Sequence, residues 1–163
     1  MADLETPRLL LHPLTPDEAA RLVAGERAAG EVWAADYPAE MDVRGAVSYL
    51  RRCAGSGDPA PFGGYEIRRR ADGAAIGGLG FNRLPEPDGS VVIGYGLVPS
   101  AQGHGYASEA LRGLLALARS LGVTVVKGDA DHGNTASQQV MRAVGMRLVR
   151  EDETVKYFET DWA

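Results

Sequence analysis

Ile93-Gly94-Tyr95-Gly96-Leu97-Val98-Pro99, followed by Gln102-Gly103-His104-Gly105-Tyr106-Ala107, is the stretch on which the reading of this chain turns. Residues 90–98 are rich in β-branched and aromatic side chains and predict a strand. Pro99 cannot continue its ladder. A helix follows, with Ala107, Ala110, Leu111, Leu114, Leu115 and Ala118 on one broad face and Leu121-Gly122 at its end. Residues 123–127 predict a second strand. Strand, helix and strand in that order predict a right-handed parallel crossover. The first amides of the helix lack internal partners and stand at the positive end of its dipole, which suits the turn to an anion. Gly103 and Gly105 permit the tight bend and let a phosphate approach the backbone, and Ala107 leaves the first turn open. No Gly-Lys-Ser/Thr follows, so this is not a Walker loop, and the third glycine of a dinucleotide fingerprint is missing.

Working outward, Arg8-Leu9-Leu10-Leu11 before Pro13 reads as an edge strand. Thr15-Pro16-Asp17-Glu18 has the form of a capping box with proline in the first helical turn. Residues 27–40 show little periodicity and read as a loop or a broken helix, and a second helix is expected from about Met41 to Cys53. Residues 64–70 and 74–81 read as a hairpin about Ala71-Asp72-Gly73. After the crossover, residues 128–133 read as a loop. Asn134 can cap a short helix that Gly145 closes. Residues 146–150 and 155–160 predict two last strands around the acidic turn Glu151-Asp152-Glu153. The pattern is α/β, a mixed, mostly antiparallel sheet with flanking helices, in a single domain over residues 1–163.

Composition narrows the function. The chain has 163 residues, 45% of them hydrophobic, with 17 basic and 22 acidic side chains and a net charge of −5. A net negative chain is a poor general binder of nucleic acid, and Arg68-Arg69-Arg70 reads as a solvated strand end. Cys53 is the only cysteine, so an internal disulfide and a thiolate-rich zinc site are excluded. It sits in an apolar pattern and reads as a small core residue. His12, His104 and His132 lack metal-ligand spacing, and no metal is expected. No apolar run is long enough to span a membrane. The N-terminus shows no signal-peptide pattern, which makes the cytoplasm the expected location. Glycine is abundant, at 21 residues, and recurs in clusters that read as loops and hairpins away from residues 103–105.

The segment from Ile93 to Pro99, together with Gln102-Gly103-His104-Gly105-Tyr106-Ala107-Ser108-Glu109-Ala110, resembles the GCN5-related N-acetyltransferases (GNAT), and most of all their ribosomal-protein-alanine N-acetyltransferase-like branch. The family's acyl-CoA signature, Gln/Arg-x-x-Gly-x-Gly/Ala, is matched by Gln102, Gly105 and Ala107. Asn134-Thr135-Ala136-Ser137 with Val140 and Gly145-Met146 resembles a second family segment, and Pro7-Arg8-Leu9 with Leu11 and Pro13-Leu14 resembles the start of this branch. The resemblance covers nearly the whole chain. It implies a three-layer fold in which two parallel strands splay apart, with acetyl-CoA between them. It also implies acetyl transfer to a primary amine of a peptide N-terminus or small molecule. A homodimer is a further family-level expectation.

Within that resemblance, the amides of Gly103, His104, Gly105, Tyr106 and Ala107 would hold the pyrophosphate, and Gln102 would position the loop. A backbone N–H at Leu97 or Val98 would face the developing oxyanion. Asn134 and Ser137 are expected at the cofactor, with Ser137 near the thiol, and their plainer reading is a helix cap and a first-turn residue. Tyr95 is a candidate catalytic phenol that would otherwise pack in the sheet. Trp33, Asp36, Tyr37, Glu40 and Met41, together with Glu66, are candidates for the acceptor side. Many relatives carry an acidic residue shortly before the Gly-Tyr pair. Here Val91-Val92-Ile93 stands there instead. That leaves Glu66, another carboxylate or a water relay as the base, and leaves a non-catalytic acyl-CoA-binding or sensing module as the alternative.

Overall fold

The structure, a computed structural model, describes residues 1–162. Eight strands form one sheet: β1 (Leu4–Glu5), β2 (Leu9–Pro13), β3 (Gly64–Arg69), β4 (Ala75–Phe81), β5 (Val91–Leu97), β6 (Val126–Asp131), β7 (Arg147–Glu151) and β8 (Val155–Glu159). Four helices accompany them: α1 (Pro16–Ala24), α2 (Glu40–Ser56), α3 (Tyr106–Ser120) and α4 (Thr135–Ala143). The order across the sheet is β1-β2-β3-β4-β5-β6-β8-β7, and β5–β6 is its one parallel pair. The architecture is the α/β three-layer arrangement expected from the sequence, with α1 and α2 covering one face and α3 and α4 the other.

The local signals account for these elements. Thr15 accepts from the Glu18 amide at 3.3 Å and Glu18 answers by accepting from the Thr15 amide at 3.0 Å, a complete capping box. On α3, Ala110, Leu111, Leu114, Leu115 and Ala118 are buried, the face that the 3.6-residue period predicts. They join Leu9, Leu11, Ile67, Ile76, Met141 and Phe158 in a single core, each large apolar side chain contributing about 1.5–3 kcal/mol.

Two sequence expectations are corrected. The strand expected at 123–127 begins at Val126 and runs to Asp131, through most of the segment read as a loop. Lys127-Gly128-Asp129-Ala130-Asp131 has a turn-like composition, but its backbone pairs with β8 throughout. Gly128 and Ala130 are small because this face packs closely, and a Cβ on Gly128 would lie 2.9 Å from the Met141 sulfur. The arginine run is not a solvated edge. Arg68 pairs with Glu66 and Glu18, Arg69 pairs with Asp72, and Arg70 donates to the Thr6 carbonyl. The short β1 and a 3-10 turn over Pro99–Ala101 were not anticipated.

Candidate active site

The strands β5 and β6 stay paired only at Val91–Val126 and Val92–Lys127. Beyond these they separate, and the rest of β5 borders a cleft. The ladder with β4 fixes which backbone groups face it. Val98 donates to Ile76 O at 2.9 Å and Asn82 donates to Val92 O at 2.8 Å. Antiparallel pairs alternate between bonded and unbonded. The even-numbered residues of β5 therefore bond to β4, and the N–H groups of Ile93, Tyr95 and Leu97 point toward β6. Of the two oxyanion candidates, Val98 has its N–H committed to Ile76, whereas that of Leu97 faces the cleft.

The glycine turn lies beyond the end of β5. Gly103 and Gly105 have φ of 82° and 79°, a left-handed backbone that side-chain-bearing residues rarely adopt. Gly105 is the N-cap of α3, so the turn directs the free amides of that helix outward. Gln102 is placed as a brace, its Nε2 donating to Leu97 O at 3.1 Å. Arg8 forms a clasp that the sequence did not reveal. Its Nη1 donates to His104 O at 2.8 Å, its Nε to Glu109 at 2.7 Å, and its guanidinium lies 4.5 Å from the centre of the Tyr106 ring. A Cβ on Gly103 would meet open space, so the turn leaves room for a phosphate against the backbone. The donor set fits a coenzyme A pyrophosphate at this turn and an extended chain along β5.

On the α4 side of the cleft, Asn134 Oδ1 accepts from the Ser137 amide at 3.1 Å and caps α4. Ser137 Oγ lies 2.7 Å from the Tyr95 hydroxyl, which also donates to Ser137 O at 3.0 Å. Burial raises the Tyr95 pKa above the ordinary phenol value, against the lowering effect of Ser137, so the phenol keeps its proton at neutral pH. The structure thus brings Tyr95, Ser137 and Asn134 together.

The opposite face of the sheet carries a cavity of about 410 Å³ beneath α2. Its floor is glycine. Gly78 pairs with Gly96 and Gly80 with Gly94 across β4 and β5, and Gly64 continues the second row on β3. Met41 lies over Gly96, where a Cβ would meet its methyl group. Tyr37 and Glu66 line the cavity. Glu66 is buried and both its oxygens are used: Tyr37 donates to it at 2.7 Å and Arg68 Nε at 2.7 Å. Trp33 is not in this wall. It bridges Ala75 and stands edge-on to Tyr37 at 5.7 Å. Asp36 accepts from the amide and hydroxyl of Ser100, and Glu40 is exposed.

Sequence reasoning passed over Asp42 and the glycine floor. Asp42 Oδ2 accepts from the Ala39 amide at 2.9 Å, and its side chain lines the cavity. Burial pushes its carboxyl up to about 6, with the charge of Glu66 adding to this and the Ala39 amide opposing it. The available signal was Gly77-Gly78-Leu79-Gly80 facing Gly94-Tyr95-Gly96: alternate glycines on neighbouring strands leave one sheet face bare.

The fold is that of the GNAT class, and the sequence matches the acetyltransferase (GNAT) domain over residues 8–147. The chain belongs to that family. No curated protein is similar enough in sequence to be called a relative. Among solved structures, the chain is similar to an acetyltransferase from Agrobacterium tumefaciens at 22% identity and TM-score 0.69, covering 99% of this chain and 95% of that one. A GNAT-family acetyltransferase from Bacillus anthracis aligns at 17% identity and TM-score 0.69, covering 97% of each. A ribosomal L7/L12 alpha-N-protein acetyltransferase in complex with coenzyme A aligns at 18% identity and TM-score 0.69, again over 97% of each chain. At these identities the likeness is one of fold. The ribosomal-protein-alanine branch in particular is not singled out by relatives so varied.

Proposed function

We propose that this chain is an acetyl-CoA-dependent N-acetyltransferase acting on a primary amine, a small-molecule amine or a peptide N-terminus. The observation that carries the reading is the position of β5. Its edge borders the cleft that ends at the glycine turn, and its other face floors the cavity beneath α2. A donor entering from one side and an acceptor from the other would meet at Tyr95-Gly96-Leu97. Acetyl-CoA, when bound, supplies an activated thioester. The chain's own residues do the rest. The amides of residues 103–107 bind the pyrophosphate, and the Leu97 N–H is placed to stabilise the oxyanion. Ser137, backed by the Tyr95 phenol, is placed to give a proton to the departing sulfur. Holding both reactants across one strand supplies proximity. A cytoplasmic location and assembly as a homodimer go with this reading.

The test is acetyl-CoA turnover, followed by release of free thiol, against a panel containing 2-phenylethylamine, n-hexylamine, glycinamide and short peptides with free N-termini. Transfer to one of them with saturable kinetics supports the reading. Tight coenzyme A binding without transfer to any of them supports the non-catalytic module instead.

A further inference from the structure

We propose that Asp42 receives the acceptor as an ammonium ion and removes its proton, which supplies the base missing from the stretch before Gly94. The inference rests on the acetyltransferase reading and assigns a residue that the reading leaves open.

Three observations lead to Asp42. First, its two oxygens are used differently. Oδ2 is held by the Ala39 amide at 2.9 Å, while Oδ1 has no hydrogen-bond donor among the described residues. Second, Oδ1 looks down on the glycine floor: a Cβ on Gly78 would lie 3.5 Å from it. Met41 covers Gly96, the β5 partner of Gly78. The open way from Asp42 to the strand that borders the cleft is therefore the adjoining row, Gly80 and Gly94, and an amine resting there lies between the carboxylate and β5. Third, the competing carboxylate is occupied. Glu66 sits opposite Gly78 on β3 in the same row, but Tyr37 and Arg68 take both its oxygens.

The surroundings suit proton exchange. From β3, Glu66 faces Asp42 with Arg68 bound to its Oε1, and the Tyr37 hydroxyl, which donates to Glu66 Oε2, lies near both carboxyls. From α2, Arg52 spends its guanidinium on the carbonyls of Phe81 and Phe62, and Arg44 is exposed beside Glu40. From β5, Tyr95 presents its phenol to α4. No cation therefore pairs with Asp42 among the described residues. A carboxylate with a pKa near 6 takes a proton more readily than an ordinary one and still returns it to water.

The step balances as follows. The ammonium gives one proton to Asp42. The freed nitrogen lone pair forms the C–N bond to the thioester carbonyl carbon, and the C–S bond breaks. The nitrogen's surplus proton leaves with the thiolate through Ser137, giving amide and free thiol. Asp42 then loses its proton to solvent.

The experiment compares wild type, Asp42→Asn and Asp42→Glu. Asparagine keeps an oxygen for the Ala39 amide, so the start of α2 is preserved. With 2-phenylethylamine as acceptor, wild-type kcat/KM should rise with pH through about 6 and then level. Asp42→Asn should lose roughly 100-fold and lack that limb, and Asp42→Glu should recover part of the rate. Coenzyme A affinity by calorimetry should be equal in all three. Without acetyl-CoA, the Asp42 carboxyl carbon should shift by NMR when 2-phenylethylamine is added. An active wild type with an unchanged Asp42→Asn pH profile, or with no carboxyl response to the amine, overturns the role of Asp42 and leaves the acetyltransferase reading standing. A wild type that binds coenzyme A but acetylates no amine overturns both.

Discussion

The hydroxyl of Tyr95 on β5 lies 2.7 Å from Oγ of Ser137 on α4. One pair of hydroxyls therefore ties the strand beside the cleft to the helix beyond it. Tyr95→Phe should lower stability by about 1 kcal/mol and turnover by roughly tenfold, with coenzyme A affinity retained. Because the two groups act as a unit, Tyr95→Phe with Ser137→Ala should be little worse than either change alone. A double-mutant cycle on kcat checks this, and strict additivity counts against a shared role.

Gly105 caps α3 at φ 79°. A β-branched residue there must adopt a backbone it avoids, at about 1–3 kcal/mol, or the turn must reshape and redirect the helix amides. Gly105→Val should weaken coenzyme A binding at least roughly tenfold, by the arithmetic that each 1.4 kcal/mol is a factor of ten. Calorimetry reads this directly, and an unaltered dissociation constant removes the turn from the binding site.

Gly94 belongs to the cavity floor, and a Cβ there meets only Asn82 Oδ1, at 3.4 Å. Gly94→Val therefore has room in the fold but raises the floor under the acceptor. The expected result is a higher KM for the amine, with coenzyme A binding unchanged. A rise in the coenzyme A dissociation constant instead would place the cavity on the donor side.

A hydrogen-bonded chain links Asp3, His12, Glu18, Arg68 and Glu66 beside the cavity. The hydrogen bond that His12 donates to Glu18 raises the His12 pKa above 6.5, burial opposing it and Asp3 assisting. Burial works against the charge of Glu18, but His12 and Thr15 outweigh it and hold that carboxyl down to about 2, from an ordinary 4.5. The stability contributed by His12 is complete below 6.5 and fades as pH climbs through its raised value. That of Glu18 is complete above 4.5 and fades as pH falls toward 2. Denaturation midpoints should therefore show a contribution from this pair that is largest between about pH 4.5 and 6.5. His12→Ala should flatten the decline on the alkaline side, and urea titrations across pH 3–9 read both limbs.

Much of the fold was legible because its signals are local. The Thr15–Glu18 box, the α3 stripe and the Asn134 cap each lie within a few turns of chain, and each is seated as expected. Residues 128–131 were misread because their strand character comes from β8, which is distant in sequence. The cleft was approached through Gly103 and Gly105, whose placement between strand and helix is itself a sequence feature. The cavity was less visible, since its floor depends on the register that sets Gly78 against Gly96 and Gly80 against Gly94. Asp42 was hidden for a related reason. At the third position of a helix a carboxylate reads as a capping residue, and only the free oxygen over Gly78 distinguishes it.

The parting of β5 from β6 also has a mechanical consequence. Five strands on one side and three on the other are joined edge to edge by two residue pairs, so the sheet is a hinged plate with a seam along Ile93–Leu97. An extended molecule lodged in that seam acts as a staple between the halves. Anything that binds there raises the melting temperature in proportion to the logarithm of its concentration, and the β5 amides along the seam exchange their hydrogens more slowly as it fills.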